Sequence, residues 1–267
     1  MHLSVKDRSK AAFTLIELVL VILIIAALTV ISLPALKGIT QSHTVNSASQ
    51  QLMDDLALAR QYAINNRAYI NVLFIPPSIM SVFPPGANVP ATTKRLTAGA
   101  YSTYGFYADR TVGDQPGRHR ARYIGKWKSL PNGVFIATNE FAVVGFRPWE
   151  QQNLAVGRPF APQRVANDPS FIFPFPMVGG TPVALPHIIF SPQGSCVYLD
   201  QSGAYRARDE VIELARGSIL VSRNDTSGDV SYFDVRESPP NNSVDNYNRI
   251  RIDGLTGRCT LERPEMP

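Results

Sequence analysis

Residues 13–36 read FTLIELVLVILIIAALTVISLPAL, and this stretch decides how the N-terminal part of the chain folds. Glu17 is its only ionisable residue, and basic residues precede it between positions 6 and 10. The run from residue 18 onward is close to the roughly twenty apolar residues that a helix needs to cross a bilayer. The sequence therefore predicts a transmembrane helix over 13–36, with the basic residues on the cytoplasmic side.

Two other kinds of segment share some of these features. A secretory signal peptide also begins with basic residues, but its apolar core is about 7–15 residues long and a small-residue cleavage site follows it. A generic membrane anchor explains the length and gives no role to Glu17. Because an unpaired carboxylate costs roughly 2.5–3.5 kcal/mol at the bilayer centre, Glu17 predicts a partner for this helix.

A second helical pattern covers residues 37–68. Its apolar residues recur at spacings of three and four, and polar residues occupy the other faces. The apolar positions are Val45, Ala48, Leu52, Leu56, Ala59 and Ala63. The pattern predicts an amphipathic helix that packs one face on a folded domain.

From residue 69 the pattern becomes strand-like, with β-branched and aromatic runs separated by turn-forming residues. The predicted strands are 69–75, 133–137, 141–146, 187–190, 196–199, 211–214, 218–221, 248–252 and a last one reached through 253–261. Pro-rich breaks predict a long irregular insertion over about 76–186. The predicted fold class is α+β: a long N-terminal helix, half membrane-spanning and half amphipathic, packed on an antiparallel β-sandwich-like head over 69–267.

The composition favours a structural or binding protein over an enzyme. The chain has 267 residues and a formal net charge of +5, part of which comes from its basic N-terminus. Its four histidines have no metal-ligand spacing, alone or with the two cysteines. Neither a nucleophile with a base nor a glycine-rich phosphate loop is recognisable. We therefore expect no catalytic residue, no metal site and no cofactor.

Cys196 and Cys259 both belong to strand-like segments of the head. If the head lies in an oxidising compartment, a disulfide between neighbouring strands is one outcome. Two buried free thiols are the other, and the sequence does not decide between them.

Residues 118–128, RHRARYIGKWK, alternate cations with aromatic residues. Such a segment could bind phosphates through Arg118, Arg120, Arg122 and Lys126 and stack bases on its aromatic rings. An exposed β ribbon with a solvated charged face explains the same residues, and it is the favoured interpretation because the rest of the head carries little excess positive charge.

Residues 10–18, KAAFTLIEL, resemble the processing site of type IV prepilins and type II secretion pseudopilins. The resemblance implies that prepilin peptidase removes a basic leader, residues 1–12, by cutting between Ala12 and Phe13. It also implies N-methylation of Phe13 and a role for Glu17 in docking between subunits. The family usually has glycine where this chain has Ala12.

Within that superfamily, residues 55–66 resemble the start of GspH/FimT-type minor pseudopilins, as do the later segments 189–194, 250–252 and 256–258. The resemblance implies a minor pilin-like structural subunit, single-pass in the bacterial inner membrane with its head in the periplasm. It would assemble into a periplasmic or surface filament of a type II secretion or type IV pilus-like machine.

The partners that the resemblance implies are the membrane, other pilin-like subunits, the prepilin peptidase/methyltransferase and a secretion or pilus assembly platform. Two alternatives keep the same scaffold. One is a filament-tip subunit that captures DNA through residues 118–128. The other is a membrane-tethered β domain that does not polymerise.

Overall fold

A computed structural model describes most of the chain. The described residues are 15–110, 120–141, 172–199, 203–225, 228–245 and 248–263, without the side chains of residues 30–43 and 139. The predicted leader 1–12, with Ala12, as well as Phe13 and Arg118, therefore lies outside the described residues. The chain divides into two compact units, Met1–His43 and Thr44–Pro267.

A single helix, α1 (Leu15–Asn66), contains most of both segments that the sequence predicted to be helical. It ends where Arg67 adopts a positive φ of 48°. The N–H of Ala68 then donates to the carbonyl oxygen of Ala63 at 3.2 Å. A left-handed residue followed by such a bond is a common way to end a helix, because it satisfies a carbonyl of the last turn.

The second unit is rich in β-structure. Its strands are β1 (Ile70–Phe74), β2 (Thr103–Ala108), β3 (Arg122–Ser129), β4 (Val134–Ile136), β5 (Ile172–Phe175), β6 (Thr181–Ala184), β7 (His187–Phe190), β8 (Cys196–Leu199), β9 (Tyr205–Ala207), β10 (Glu210–Arg223), β11 (Val230–Glu237), β12 (Asn248–Ile252) and β13 (Cys259–Glu262). Its short helices are α2 (Ile79–Val82), α3 (Ala91–Thr97), the 3-10 helix Thr138–Phe141 and α4 (Asn242–Asp245).

The strands of the described residues form three antiparallel sheets. The larger sheet has six strands in the order β3-β2-β1-β7-β8-β9. The second has the order β11-β10-β12-β13, with β4 also paired to β10, and β5 and β6 form a hairpin. The structure is thus α+β, with an N-terminal helix and antiparallel sheets, as the sequence predicted at that level.

The second half of α1 packs on this β-structure. The predicted inner-face positions are all buried, and Leu52, Leu56 and Ala59 are 0% exposed. They share an apolar cluster with residues of both larger sheets, among them Phe74 and Leu214. The spacing of three and four is therefore explained by one helical face that is removed from water.

Both faces of the larger sheet are covered. Val72 and Phe74 of β1 belong to the cluster under α1, whereas Leu73 belongs to a second cluster on the opposite face. That cluster also contains Phe173 and Phe175 of β5. A strand that is buried on both sides has no regular polar alternation. β1 is accordingly apolar except for Asn71, whose buried side-chain amide donates to Asp109 Oδ1 at 3.1 Å.

The described parts of the range 76–186, which the sequence predicted to be an irregular insertion, are largely regular. They contribute β2 and β3 to the larger sheet and β4 to the second sheet. The prediction missed β2 because Gly105 interrupts its aromatic run. The ring of Trp127 lies over this glycine, where a Cβ would come within 2.8 Å of the ring.

One strand replaces two that were predicted. The sequence predicted strands over 211–214 and 218–221 because Gly217 suggested a break, but β10 runs through both. Gly217 has a φ of 155°, and a Cβ there would lie 1.9 Å from the carbonyl oxygen of Arg236 on β11. Glycine is needed at this position because β11 approaches so closely.

The strand predicted over 141–146 also differs from the structure. Phe141 is the last residue of a 3-10 helix rather than the first of a strand. Its ring packs edge-on against Tyr101, with 5.3 Å between centroids, so the apolar signal at this position comes from core packing. Residues 142–146 lie outside the described residues.

Candidate functional site

The N-terminal part of α1 carries an exposed apolar surface. Its large apolar side chains between Leu15 and Leu28 are 45% to 81% exposed. Glu17 lies in the first turn and is also exposed. An apolar surface of this extent is unusual on a protein that is surrounded only by water. Among the described residues, no helix is long and apolar enough to cross a membrane.

A polar contact joins α1 to β2 and β3. Asp55 of α1 is buried, and its Oδ2 accepts a hydrogen bond from the Tyr104 hydroxyl at 2.7 Å. Its Oδ1 accepts from Lys128 Nζ. Burial, reinforced by the bond to Asp55, raises the pKa of Tyr104, so the hydroxyl stays protonated as a donor. Sequence reasoning missed this pair, although an acid beside the apolar positions of a helix is a signal for it.

Two of the three late segments that resemble the pseudopilin family, 189–194 and 256–258, contact the same residue of α1. Arg60 Nε donates to the carbonyl oxygens of Gly194, at 3.0 Å, and Thr256, at 2.7 Å. Gly257 adopts a φ of 62°, and a Cβ there would lie 2.1 Å from the Gly194 oxygen. The role of these motifs in the structure is therefore to join two turns of the head to each other and to α1.

The basic aromatic segment lies mostly on β3, an edge strand of the larger sheet. Its aromatic rings point into the protein. Tyr123 donates to the carbonyl oxygen of Pro174 at 2.7 Å, and Trp127 Nε1 donates to that of Pro176 at 2.9 Å. Trp127 also packs edge-on against Phe175, with 5.4 Å between ring centroids. These rings are consequently not arranged as a platform for bases.

The cations of the same segment are on the outside. Arg120, Arg122 and Lys126 are exposed, while Lys128 is paired with Asp55. Arg118, the fourth predicted contact, lies outside the described residues. The described part of the segment thus has the solvated charged face that the sequence favoured, without exposed aromatic stacking.

The two cysteines are free thiols, Cys196 buried and Cys259 half-buried, so the alternative of two buried free thiols is met only at Cys196. Cys196 is buried, and burial raises its pKa well above the usual value. Burial raises the pKa of Cys259 to about 11. Because the thiolate is the reactive form, both thiols are weak nucleophiles at neutral pH.

Within the described parts of the chain, no group of three or more His, Cys, Asp or Glu side chains is arranged to hold a metal ion. The buried acid Glu140 accepts a hydrogen bond from the N–H of Glu213 at 2.9 Å through Oε1. Among the described residues, its Oε2 has no hydrogen-bond partner. Burial raises the pKa of Glu140 well above its usual value, because the charged form loses its hydration.

Comparison with protein-family models, with curated proteins and with solved structures gave no match for this chain. Any functional assignment therefore rests on its own residues. Two features stand out among them: the apolar N-terminal half of α1 with Glu17, and the β head that is closed around the other half.

Proposed function

We propose that this chain is a minor pilin-like subunit of the GspH/FimT type, belonging to a type II secretion or type IV pilus-like filament. The helix segment 13–36 anchors the precursor in the bacterial inner membrane, and the head lies in the periplasm. Prepilin peptidase cuts between Ala12 and Phe13 and methylates the new N-terminus. The processed subunit then enters the filament, where its sheets form the sandwich-like head of this family.

The observation that carries the proposal is that apolar side chains are exposed in the first part of α1 and buried in the second. Between Leu15 and Leu28 the apolar side chains are exposed, whereas Leu52, Leu56 and Ala63 are completely buried by the head. Apolar side chains that are exposed to this extent need a covering. Lipid supplies it before assembly, and the helices of neighbouring subunits supply it in a filament.

Glu17 requires that this covering also supply a positive charge. A carboxylate among apolar helices has a low-dielectric environment, where an opposite charge attracts it more strongly than in water. In the proposed filament this charge is the N-terminal amine of a neighbouring subunit at Phe13. Removal of one partner would leave the other charge buried alone, which is strongly unfavourable.

The test is incorporation into filaments in cells with a working secretion or pilus machine. Filaments are sheared, sedimented and probed for the chain as wild type, Glu17→Gln and Asp54→Asn. The last variant is the matched control, since Asp54 is an exposed acid of the same helix. We expect Glu17→Gln to lower recovery at least about tenfold, a difference of roughly 1.4 kcal/mol, and Asp54→Asn to leave it unchanged.

Two outcomes would contradict the proposal. Equal recovery of Glu17→Gln and wild type would remove the docking role of Glu17. A processed wild-type chain that stays entirely in the membrane fraction, while the other subunits sediment as filaments, would favour the tethered domain that does not polymerise.

A further inference from the structure

A cavity of about 180 Å³ opens on the head between the α2–α3 segment and the turn that joins β10 to β11. One part of its lining is apolar and comes from both sides. These side chains are Met80, Phe83, Val89 and Val230. Phe83 and Val230 are buried, at 8% and 4% exposure, so the apolar wall is part of the core.

The other part of the lining is charged. It consists of Lys94, Arg95, Arg223 and Asp229. Asp229 is already satisfied, because its Oδ1 lies 2.7 Å from Lys94 Nζ and its Oδ2 accepts from the N–H of Gly86 at 2.8 Å. Three cations against one carboxylate leave an excess of positive charge at the cavity.

The excess charge resides on two arginines. Arg95 and Arg223 are exposed, and neither forms an ion pair with a described carboxylate. Arg223 is oriented by a hydrogen bond from its Nη1 to the carbonyl oxygen of Gly228 at 3.0 Å. Asp225, on the same turn, does not line the cavity. A guanidinium group in this position can bind a carboxylate through two parallel hydrogen bonds.

We propose that this cavity binds a small organic anion, with its apolar group against Phe83 and Val230 and its carboxylate at Arg95 and Arg223. An apolar cavity of about 150 Å³ can hold benzene, so the volume suits one ring or a short alkyl chain. Inorganic phosphate fits less well, because it would leave the apolar wall in contact with water. The site is independent of the filament role proposed above.

The test uses the full chain in detergent micelles and 4-fluorobenzoate as the probe, followed by fluorine NMR. Empty micelles give the background of probe partitioning. 4-Fluorobenzyl alcohol has the same ring without the charge. We expect 4-fluorobenzoate to bind and 4-fluorobenzyl alcohol to bind at least about tenfold more weakly. Added salt should lower the affinity for 4-fluorobenzoate.

Three variants locate the binding. Arg95→Gln combined with Arg223→Gln should lower the affinity for 4-fluorobenzoate at least about tenfold, because both guanidinium groups that bind its carboxylate are removed. Both positions are exposed, so the substitutions leave the core unchanged. Ala87→Phe should block it by filling the cavity, whose wall includes Ala87. Arg122→Gln is the matched control and should change nothing, because Arg122 is an exposed arginine of β3 that does not line the cavity. Circular dichroism checks that each variant is folded.

The proposal is overturned if the acid does not bind beyond the micelle background. It is also overturned if acid and alcohol bind equally, or if folded double-arginine and Ala87→Phe variants retain wild-type affinity. If inorganic phosphate displaced the probe at the same concentration as benzoate does, the apolar wall would not contribute to binding, and the proposal would be contradicted.

Discussion

Arg60 of α1 and Gly194, in the turn between β7 and β8, are joined by a hydrogen bond of 3.0 Å from Nε to the carbonyl oxygen. The same nitrogen lies 2.7 Å from the carbonyl oxygen of Thr256, in the turn between β12 and β13. These turns are 134 and 196 residues away from Arg60 in the chain. One side chain thus connects the helix to turns of both larger sheets.

Replacement of Arg60 by Ala should destabilise the head by roughly 1–3 kcal/mol, because two carbonyl oxygens lose a charged donor. Urea unfolding of the detergent-solubilised chain, followed by tryptophan fluorescence, measures the free energy of unfolding. Gln61→Ala is the control, since Gln61 is exposed on the same helix. Equal midpoints for the two variants would contradict a role for the Arg60 contacts.

Gly257→Ala should destabilise the head more than Gly179→Ala. Both glycines have positive φ, 62° and 82°, so both substitutions carry the roughly 1–2 kcal/mol cost of a left-handed residue. Only at Gly257 would the new Cβ meet backbone, at 2.1 Å from the Gly194 oxygen, whereas nothing lies within 4 Å at Gly179. Thermal unfolding of both variants gives the comparison, and equal losses would show that the close approach is unimportant.

His187 should make the head less stable in acid. Burial lowers its pKa from 6.5 to about 4. Between these two values the unfolded chain binds a proton that the folded chain does not, so the stability from this group is present above pH 6.5 and is lost as the pH falls. His187→Gln should therefore lose less stability than wild type from pH 7 to pH 4.5, by on the order of 2 kcal/mol. Parallel curves of unfolding free energy against pH would exclude this role.

The precursor should be cut between Ala12 and Phe13. Mass spectrometry of the membrane-extracted chain should find an N-methylated phenylalanine at its N-terminus in cells with prepilin peptidase, and the intact leader in cells without it. Ala12→Gly introduces the residue that the family usually has at this position, and the precursor with this substitution should be cut at least as well as wild type. A chain that still begins at Met1 in the presence of active peptidase would contradict the pilin-like assignment.

The full chain should show no tight, salt-dependent binding to single-stranded or duplex DNA. Tyr123 and Trp127 are held by the carbonyl oxygens of Pro174 and Pro176, so their rings are not presented to bases. Fluorescence anisotropy over a range of salt concentrations measures binding. Tight binding that weakens with salt and disappears when Arg118, Arg120, Arg122 and Lys126 are all changed to Ala would establish the DNA-capturing alternative.

The sequence predicted those elements whose local pattern agrees with their final surroundings. The inner face of α1 was recognisable from the spacing of Leu52, Leu56 and Ala59, since burial on one side imposes a helical period. β1 and β7 were recognisable because their largely apolar runs are short, and β12 because Ile250 and Ile252 alternate with arginines. In each case the residues that define the element are neighbours along the chain.

Other features depend on residues that are far apart in the chain, and local sequence patterns do not predict them. Gly105 weakened the signal of β2 because the ring that fills its place belongs to Trp127 on another strand. The partners of Asp55 lie 49 and 73 residues away. The cavity lined by Arg95 and Arg223 is likewise formed by two distant segments, so only the three-dimensional arrangement brings its charges together.

The edge strand β3 has a further consequence for molecules that crowd together. An unpaired sheet edge can recruit the same edge of another copy and begin aggregation. Here the pairing with β2 shifts register between Tyr104 and Phe106, and Gly125 adopts a φ of 73° at that irregularity. Exposed Arg122 and Lys126 flank it. A second copy that approached through this edge would meet a kinked backbone and like charges, so this edge is a poor template for sheet pairing between crowded copies.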